Sequence, residues 1–212
     1  MTIAEKIAHI ALEAGAIQIN AQKPFTWASG YKMPIYNDNR LLLGNADHRS
    51  LIANGFQDLL KNYVEGIDVI AGTATAGIPH ATTLADMLQI PLIYVRSKEK
   101  SHGMGNKIEG VLNKNQRVLV IEDLVSTGGS AINAVTAIRE AGGIVEHCFS
   151  IFSYGFPEAI EKFNNISCQL HSILVFSKLL QVAQSKADIS QSDIEILLSW
   201  QKNPFAWGKK DF

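Results

Sequence analysis

The sequence predicts an α/β protein with a mostly parallel central sheet flanked by helices, and with a small hood near the N-terminus. From residue 67 onward, short apolar runs alternate with stretches of helical periodicity, and strands joined through helices form parallel crossovers. The run VLVI at 118–121 is apolar throughout, which is typical of a central strand covered on both faces. The segment 15–44 breaks the alternation with Gly30, Pro34 and several aromatic residues, so we expect it to form a β-rich hood over the sheet.

The remaining elements follow from hydrophobic spacing. Apolar residues recur at helical spacing in 2–14 and 45–63, which predicts two helices before the alternating region. In that region we predict helices near 77–89 and 129–141 and strands at 67–72, 91–96, 117–123, 144–154 and 169–176. A last amphipathic helix begins after Ser190, which can cap it, and is stopped by Pro204. No repeat or linker divides the chain, so we expect a single domain spanning 1–212.

The composition argues against several classes of function. Lys and Arg number 19 against 20 Asp and Glu, a net charge of -1, so no overall field favours nucleic acid or an anionic membrane. Residues 1–17 read as an amphipathic helix and not as a signal peptide, and no apolar run reaches membrane-spanning length. We therefore expect a cytoplasmic protein. Cys148 and Cys168 lack the spacing of a metal site and are interpreted as reduced core thiols.

The stretch RVLVIEDLVSTGGSA (117–131) combines an apolar strand, two adjacent carboxylates and a glycine-rich turn. Glu122 and Asp123 repel each other and cannot be buried cheaply, which indicates that a ligand uses them. The turn 126–130 opens a helix whose free N–H groups and dipole form an anion site. A phosphate bound there would place the rest of its molecule over the carboxylates, which suit vicinal hydroxyls or Mg²⁺. We interpret the stretch as a ribose 5-phosphate site; the alternative is an ordinary strand–helix turn with a solvated acidic edge.

Two further segments follow predicted strands. AGTATAGIPHA (71–81) is a second turn of small residues, Gly72 to Gly77, that can present backbone N–H groups to an anion. RSKEKSHGMGNKIEG (96–110) is polar and cationic, which suits an anionic ligand that arrives and leaves; the alternative is a solvated surface loop.

VLVIEDLVSTGGSA resembles the signature of the type I phosphoribosyltransferases, which bind 5-phosphoribosyl 1-pyrophosphate. PFTWASGYKMPIYNDNR (24–40), YVRSKEKSHGMGNKIEG (94–110) and SWQKNPFAWG (199–208) narrow the resemblance to orotate phosphoribosyltransferases. The resemblance implies a type I phosphoribosyltransferase-like fold. It also implies transfer of the phosphoribosyl group to orotate, giving orotidine 5′-monophosphate and pyrophosphate in pyrimidine biosynthesis.

The resemblance also implies roles for individual residues. The catalytic residues would be Lys100, His102 and Asp123. The residues that bind 5-phosphoribosyl 1-pyrophosphate would be Arg96, Lys100, His102, Glu122, Asp123, Leu124, Val125, Ser126, Thr127, Gly128, Gly129 and Ser130. Orotate would contact Ser126, with Ser29, Lys32 and Tyr36 as further candidates from the hood, and Lys98 and Lys107 would be supporting charges.

The resemblance further implies a cofactor and an assembly. Mg²⁺ would be held through the pyrophosphate of the substrate, with no firm protein ligand. The protein would be a homodimer, with the mobile loop 97–107 shared across the interface.

This sequence departs from the family pattern at four positions. Some members carry a bulky aromatic residue where this chain has Thr75, and lysines where it has Ala28 and Ala76, so pyrophosphate binding here must depend more on backbone groups and on the mobile loop. An arginine often recognises the carboxylate of the base from the strand near 144–154, where this chain has Tyr154.

Two other functions compete with this interpretation. A purine-type phosphoribosyltransferase would share the sugar site and differ in the hood, and a non-catalytic regulator would bind 5-phosphoribosyl 1-pyrophosphate without turning it over. The complete basic loop and the near-neutral charge argue against the regulator. We interpret His80 and His147 as structural histidines and Trp200, Phe205 and Trp207 as packing residues.

Overall fold

The computed structural model describes residues 1–27, 30–97 and 107–207. The helices are α1 (Ile3–Glu13), α2 (Ala46–Tyr63), α3 (Gly77–Leu88), α4 (Gly129–Glu140), α5 (Pro157–Asn165), α6 (Phe176–Ser185), α7 (Gln191–Lys202) and α8 (Pro204–Trp207), with a 3₁₀ helix at Asn39–Gly44. The strands are β1 (Ile17–Ile19), β2 (Phe25–Thr26), β3 (Lys32–Met33), β4 (Ile35–Asn37), β5 (Val69–Thr73), β6 (Leu92–Val95), β7 (Ile108–Glu109), β8 (Arg117–Val125), β9 (Ile144–Ser153) and β10 (Gln169–Val175).

The main sheet has six strands in the order β10-β9-β8-β5-β6-β7. Every neighbouring pair is parallel except β6 and β7 at one edge, so the predicted mostly parallel sheet is confirmed. Val118 and Val120 of β8 join one apolar cluster, while Leu119 and Ile121 join the other. Because successive side chains of a strand point to opposite faces, β8 is covered on both sides, as its continuous apolar run predicts.

The carboxyl end of β8 extends beyond the predicted boundary. Leu124 and Val125 pair with Phe152 and Ser153 of β9, so the strand continues two residues past Asp123. The acidic pair therefore lies within the last part of the strand, and the turn proper begins only at Ser126. Helices α5 and α6 and the edge strand β7 were not predicted.

The hood is confirmed as a β-rich segment, built from two small antiparallel sheets, β1 with β4 and β2 with β3. Trp27 Nε1 donates to the carbonyl of Ile35 at 2.8 Å, which ties the two sheets together. Trp200 of α7 is fully buried, and its Nε1 donates to Met33 Sδ at 3.0 Å. The C-terminal helix therefore holds the hood in place, and Trp200 is a packing residue, as predicted.

Helices α1 and α7 begin at capping boxes. Thr2 caps α1 and Ser190 caps α7, each with its side chain accepting from the backbone three residues on. The helix α7 ends before Pro204 as predicted, but Pro204 itself begins the short helix α8, a position that suits proline because it has no N–H to satisfy.

Both cysteines are free and buried, which agrees with the prediction of core thiols. Burial raises the pKa of Cys168 to about 11, so this thiol is unreactive at neutral pH. None of the helices in the described part of the chain combines the length and the apolar character that a bilayer crossing requires.

Candidate functional site

The acidic pair is held by contacts within the strand–turn–helix unit. Glu122 is buried, and its Oε1 accepts from the backbone N–H of Asp123 at 3.0 Å. Its Oε2 accepts from the Ser130 hydroxyl at 2.7 Å. Burial, followed by the hydrogen bond and the repulsion from Glu122, raises the pKa of Asp123 to about 8. Without a ligand the pair therefore retains a proton near neutral pH, and a ligand that donates hydrogen bonds relieves the repulsion.

The turn after β8 forms an open helix N-terminus. Gly128 is the N-cap of α4 with φ 78°, and no side chain caps the helix there. A Cβ at Gly128 would lie 3.2 Å from the Phe163 ring, whereas a Cβ at Gly129 would meet nothing within 4 Å. The space in front of Gly129 is thus free for an anion, and the first N–H groups of α4 point to it. Lys162 lies beside the turn, with its Nζ 3.3 Å from the Thr127 carbonyl oxygen, and it also pairs with Glu158.

The turn after β5 lies against the end of β8. Thr73 Oγ1 donates to the Ile121 carbonyl at 3.2 Å, and Ala74 N donates to the Val95 carbonyl at 2.9 Å. A Cβ on Gly77 would come under 3.0 Å from both Ile121 O and Thr73 Oγ1, so only glycine fits. This close approach places the small-residue turn beside the acidic pair. Neighbouring parallel strands have their carboxyl ends on the same side of the sheet, so the segments that follow them meet there.

A cavity of about 190 Å³ opens between these strand ends. Its lining includes Thr73 and Ala74 after β5, Arg96 and Ser97 after β6, and Ser130 at the start of α4. The Arg96 guanidinium is 3.2 Å from Glu109 Oε1, and Arg96 N donates to the Lys107 carbonyl at 2.8 Å. The two ends of the basic loop are therefore joined beside this cavity.

The hood reaches the same edge through the segment that follows β4. Asn39 is buried, and its Nδ2 donates to the Asp123 carbonyl at 2.9 Å. The next residue, Arg40, forms a bidentate ion pair with Asp38, with Nε–Oδ1 at 2.6 Å and Nη2–Oδ2 at 2.8 Å. Tyr36 is exposed, and its ring centroid lies 6.1 Å from that of Phe25. The hood thus carries an exposed aromatic ring and a cation on the segment that contacts Asp123 through Asn39.

Comparison with known proteins decides the family. The family model "Phosphoribosyl transferase domain" matches residues 45–154. An orotate phosphoribosyltransferase of Listeria monocytogenes is 46% identical over 209 residues, which is 99% of this chain and 100% of that one. One from Bacillus cytotoxicus is 48% identical over 200 residues, covering 94% of this chain and 95% of the other.

The chain belongs to the orotate phosphoribosyltransferase family.

The fold comparison agrees with this assignment. The crystal structure of orotate phosphoribosyltransferase from Aeropyrum pernix superposes with a TM-score of 0.75 at 26% identity, covering 87% of this chain and 99% of that one. The UMP synthase of Leishmania donovani superposes with a TM-score of 0.79 at 25% identity, covering 93% of this chain and 42% of that longer one. The predicted type I phosphoribosyltransferase-like fold is confirmed.

In this orotate phosphoribosyltransferase family member, the structure brings several of the predicted site residues together. The structure places Glu122, Asp123, Ser126, Thr127, Gly128, Gly129 and Ser130 at the end of β8 and the start of α4, with Arg96 after β6, two strands away in the sheet. Leu124 and Val125 lie within β8, where Val125 is buried and Leu124 is half-buried against the apolar core. Ser29, Lys98, Lys100 and His102 lie outside the described residues.

Two predicted positions have contacts that change their interpretation. The Ser130 hydroxyl donates to Glu122, so it positions the carboxylate in addition to lying at the anion site. Lys32 is exposed, and its Nζ lies 2.9 Å from Thr26 Oγ1 in the hood.

Tyr154 occupies the region where the resemblance implies an arginine, and it is a core residue. Its side chain is buried and stacks on Phe156 with ring centroids 5.1 Å apart. Burial raises the pKa of its hydroxyl, so Tyr154 stays neutral and offers no positive charge to a base. His80 is likewise buried, and burial lowers its pKa to about 4, which agrees with a structural role.

The sequence analysis missed Asn39, Arg40 and Thr73. Asn39 and Thr73 donate hydrogen bonds to backbone carbonyls of β8, and Arg40 follows Asn39 directly. All three come from segments distant in sequence from β8. The only signal was the polar run NDNR directly after a strand, in which no apolar spacing explains four consecutive polar residues.

Proposed function

We propose that the protein transfers the 5-phosphoribosyl group of 5-phosphoribosyl 1-pyrophosphate to orotate, forming orotidine 5′-monophosphate and pyrophosphate. The observation that carries the proposal is the pairing of two features at the end of β8. One is the acidic pair, in which Glu122 is buried and bonded to Ser130 and the pKa of Asp123 is raised to about 8. The other is the uncapped N-terminus of α4. A sugar phosphate combines the anion and the vicinal hydroxyls that these two features require.

The sugar half of the site follows from this arrangement. The 5-phosphate would accept hydrogen bonds from the N–H groups of Gly129 and the following residues of α4. The ribose hydroxyls would donate to Glu122 and Asp123, which favours the ionised form of Asp123. As the C1–O bond breaks and the bond to orotate N1 forms, positive charge grows on the ribose. Two carboxylates beneath the ring stabilise that charge.

The pyrophosphate half requires cations and N–H donors. The turn between Thr73 and Gly77 would supply backbone donors, and Arg96 a guanidinium, with Lys100 and His102 from the basic loop as we predict from the sequence. The described residues hold no group of three or more His, Cys, Asp or Glu that could bind a metal alone. Mg²⁺ would thus be held mainly by pyrophosphate oxygens, where it neutralises the charge of the leaving group.

The hood would cover the base. Tyr36 presents an exposed ring that can stack on the flat pyrimidine, and Ser126 at the start of the turn can donate to it. We further propose that the protein is a cytoplasmic homodimer in which the loop 97–107 of one subunit serves the neighbouring site.

The test is consumption of the base by purified protein with 5-phosphoribosyl 1-pyrophosphate and Mg²⁺. Orotate, adenine, guanine and hypoxanthine are offered in turn, with chelator as the control for metal dependence. We expect only orotate to disappear, and only with Mg²⁺. Consumption of a purine instead would support the sugar site but refute the proposal that the hood binds orotate. If 5-phosphoribosyl 1-pyrophosphate binds yet no base is consumed, the protein is a regulator.

A further inference from the structure

Orotate carries a carboxylate beside its ring nitrogen, and the described part of the strand-end site offers it no obvious partner. Tyr154 is packed into the core and neutral, so the end of β9 cannot supply the charge. Arg96 lies at the end of β6, beside the cavity formed by the turn after β5, which is the pyrophosphate side. The carboxylate of orotate would lie near Asp123 and Glu122, and a cation is needed to offset the repulsion between these negative groups. The remaining source of such a cation among the described segments is the hood.

Arg40 is held in one orientation yet remains accessible. Asp38 accepts from Nε and Nη2 of its guanidinium in a bidentate pair. This pair occupies the side of the guanidinium fork and leaves the end formed by the two Nη atoms for a second carboxylate. The Arg40 side chain is 65% exposed, so the second ligand can approach from solvent. An arginine fixed by one carboxylate loses little freedom when it binds another.

The position of Arg40 follows from its neighbours. Asn39 is anchored to the Asp123 carbonyl at 2.9 Å, which brings the start of the 3₁₀ helix onto the end of β8. The side chains of Tyr36 and Asp123 both lie within electrostatic range of the Arg40 guanidinium. The guanidinium is thus close to the ring that would stack on the base and to the carboxylate that would hold the ribose.

We propose that Arg40 binds the carboxylate of orotate and thereby selects orotate over uracil-type bases. The inference rests on the proposed function, because it assigns a partner to one group of that substrate. A base stacked on Tyr36 and linked to a ribose above Asp123 lies between these two residues, and Arg40 is a described cation within electrostatic range of both. Lys32 is the competing cation of the hood: its Nζ donates to Thr26 Oγ1 at 2.9 Å and keeps two further N–H donors, so it is tested alongside Arg40.

The test compares the binding of orotidine 5′-monophosphate and uridine 5′-monophosphate by calorimetry. The two nucleotides share the phosphate, the ribose and the pyrimidine ring, and differ only in the carboxylate. Wild type is measured with Arg40→Gln, Arg40→Lys, Lys32→Gln and the control Arg117→Gln, which makes the same change at the opposite end of β8, where Arg117 pairs with Glu146. Thermal melts of each variant verify the fold, and KM for 5-phosphoribosyl 1-pyrophosphate is measured alongside.

We expect Arg40→Gln to weaken binding of orotidine 5′-monophosphate by about 10- to 100-fold, the effect of losing charge-assisted hydrogen bonds, and to leave uridine 5′-monophosphate nearly unaffected. Arg40→Lys should recover part of the preference, because it restores the charge without the fork. Arg117→Gln should match wild type. If Arg40→Gln fails to fold, Arg40→Lys decides the test through the ratio of its affinities for the two nucleotides.

Several results would overturn the inference. Equal losses for both nucleotides would show that Arg40 only supports the hood, and loss of the preference in Lys32→Gln instead would assign the carboxylate to Lys32. A raised KM for 5-phosphoribosyl 1-pyrophosphate with an unchanged nucleotide preference would assign Arg40 to the pyrophosphate. If wild type itself neither consumes orotate nor prefers its nucleotide, the proposed function fails and not merely the role of Arg40.

Discussion

The sugar side of the site, at the turn after β8, and the base side, under the hood, are built in different ways. On the sugar side, Ser130 contacts Glu122 from only eight positions away, within one continuous strand–turn–helix unit. On the base side, Asn39 reaches Asp123 across 84 positions, and Trp200 reaches Met33 across 167. The sugar side therefore depends on one short segment, whereas the base side exists only when distant parts of the chain have packed together. Substitutions in the two halves should consequently fail in different ways.

The largest effect is expected from Asp123→Asn, on the sugar side. The amide cannot stabilise positive charge on the ribose, so kcat should fall by about 10²- to 10³-fold, as when one preorganised electrostatic contact is removed. Folding should be preserved, because the amide has nearly the same shape as the protonated Asp123 carboxyl and is likewise neutral. Steady-state kinetics and a thermal melt measure the two effects. A variant with wild-type kcat would remove Asp123 from the mechanism.

Gly77→Ala should be the most damaging substitution for stability. Its Cβ would press against the Ile121 carbonyl and Thr73 Oγ1, and overpacking against backbone costs roughly 2–3 kcal/mol. Gly129→Ala is the matched control, since a Cβ there meets nothing within 4 Å and alanine favours the helix by about 0.5–1 kcal/mol.

The same two variants also separate packing from ligand binding. Gly129→Ala should fold at least as well as wild type but bind inorganic phosphate more weakly, because the methyl group occupies the space in front of the helix. Chemical denaturation and phosphate competition distinguish the variants. Unchanged phosphate binding in Gly129→Ala would place the anion elsewhere.

Trp200→Phe tests the base side. The smaller ring leaves a cavity and loses the donor to Met33, at a cost of about 1–3 kcal/mol of unfolding free energy. Because Trp200 supports the hood and not the turn, KM for orotate should rise several-fold while KM for 5-phosphoribosyl 1-pyrophosphate stays constant. Leu198→Ala, at an exposed position of the same helix, is the control. Equal increases in both KM values would contradict the separation of the two halves.

The last prediction concerns the pH dependence of stability. The pKa of Asp123 is raised from 3.8 to about 8 by folding, so between these values the folded chain holds a proton that the unfolded chain has released. The free energy of unfolding should therefore fall as pH rises through this range. Denaturation of Asp123→Asn at several pH values should show a flatter profile, and identical slopes would count against the shifted pKa.

The sequence predicts the sheet and the sugar side well, because both leave local patterns. The apolar run before Glu122 and the glycines after it are visible within fifteen letters, and parallel strands ending at one edge bring them together. The end of β8 was misplaced by two residues because charged residues normally mark the end of a buried strand. Here Leu124 continues the pairing with β9, and hydrogen bonds from Ser130 and the backbone make the buried Glu122 tolerable.

The base side was harder to predict for a physical reason. Nothing near Met33 reveals that its sulfur meets Trp200, and nothing near Arg40 reveals that its neighbour Asn39 binds the backbone of Asp123. Such contacts depend on tertiary packing, which periodicity does not record. Likewise, the sequence placed Tyr154 near the base, whereas its ring is buried among Phe156 and Trp200.

The bond between Trp200 and Met33 also bears on how the protein is made. Synthesis proceeds from the N-terminus, so the hood strands leave the ribosome long before the helix that holds them, which lies 167 positions further on. Until that helix arrives, Trp27 and Met33 lack their buried partner and expose apolar surface. The base site is therefore among the last parts of the molecule to mature, and a nascent chain halted before residue 200 would carry a formed sugar site beneath an unsecured hood.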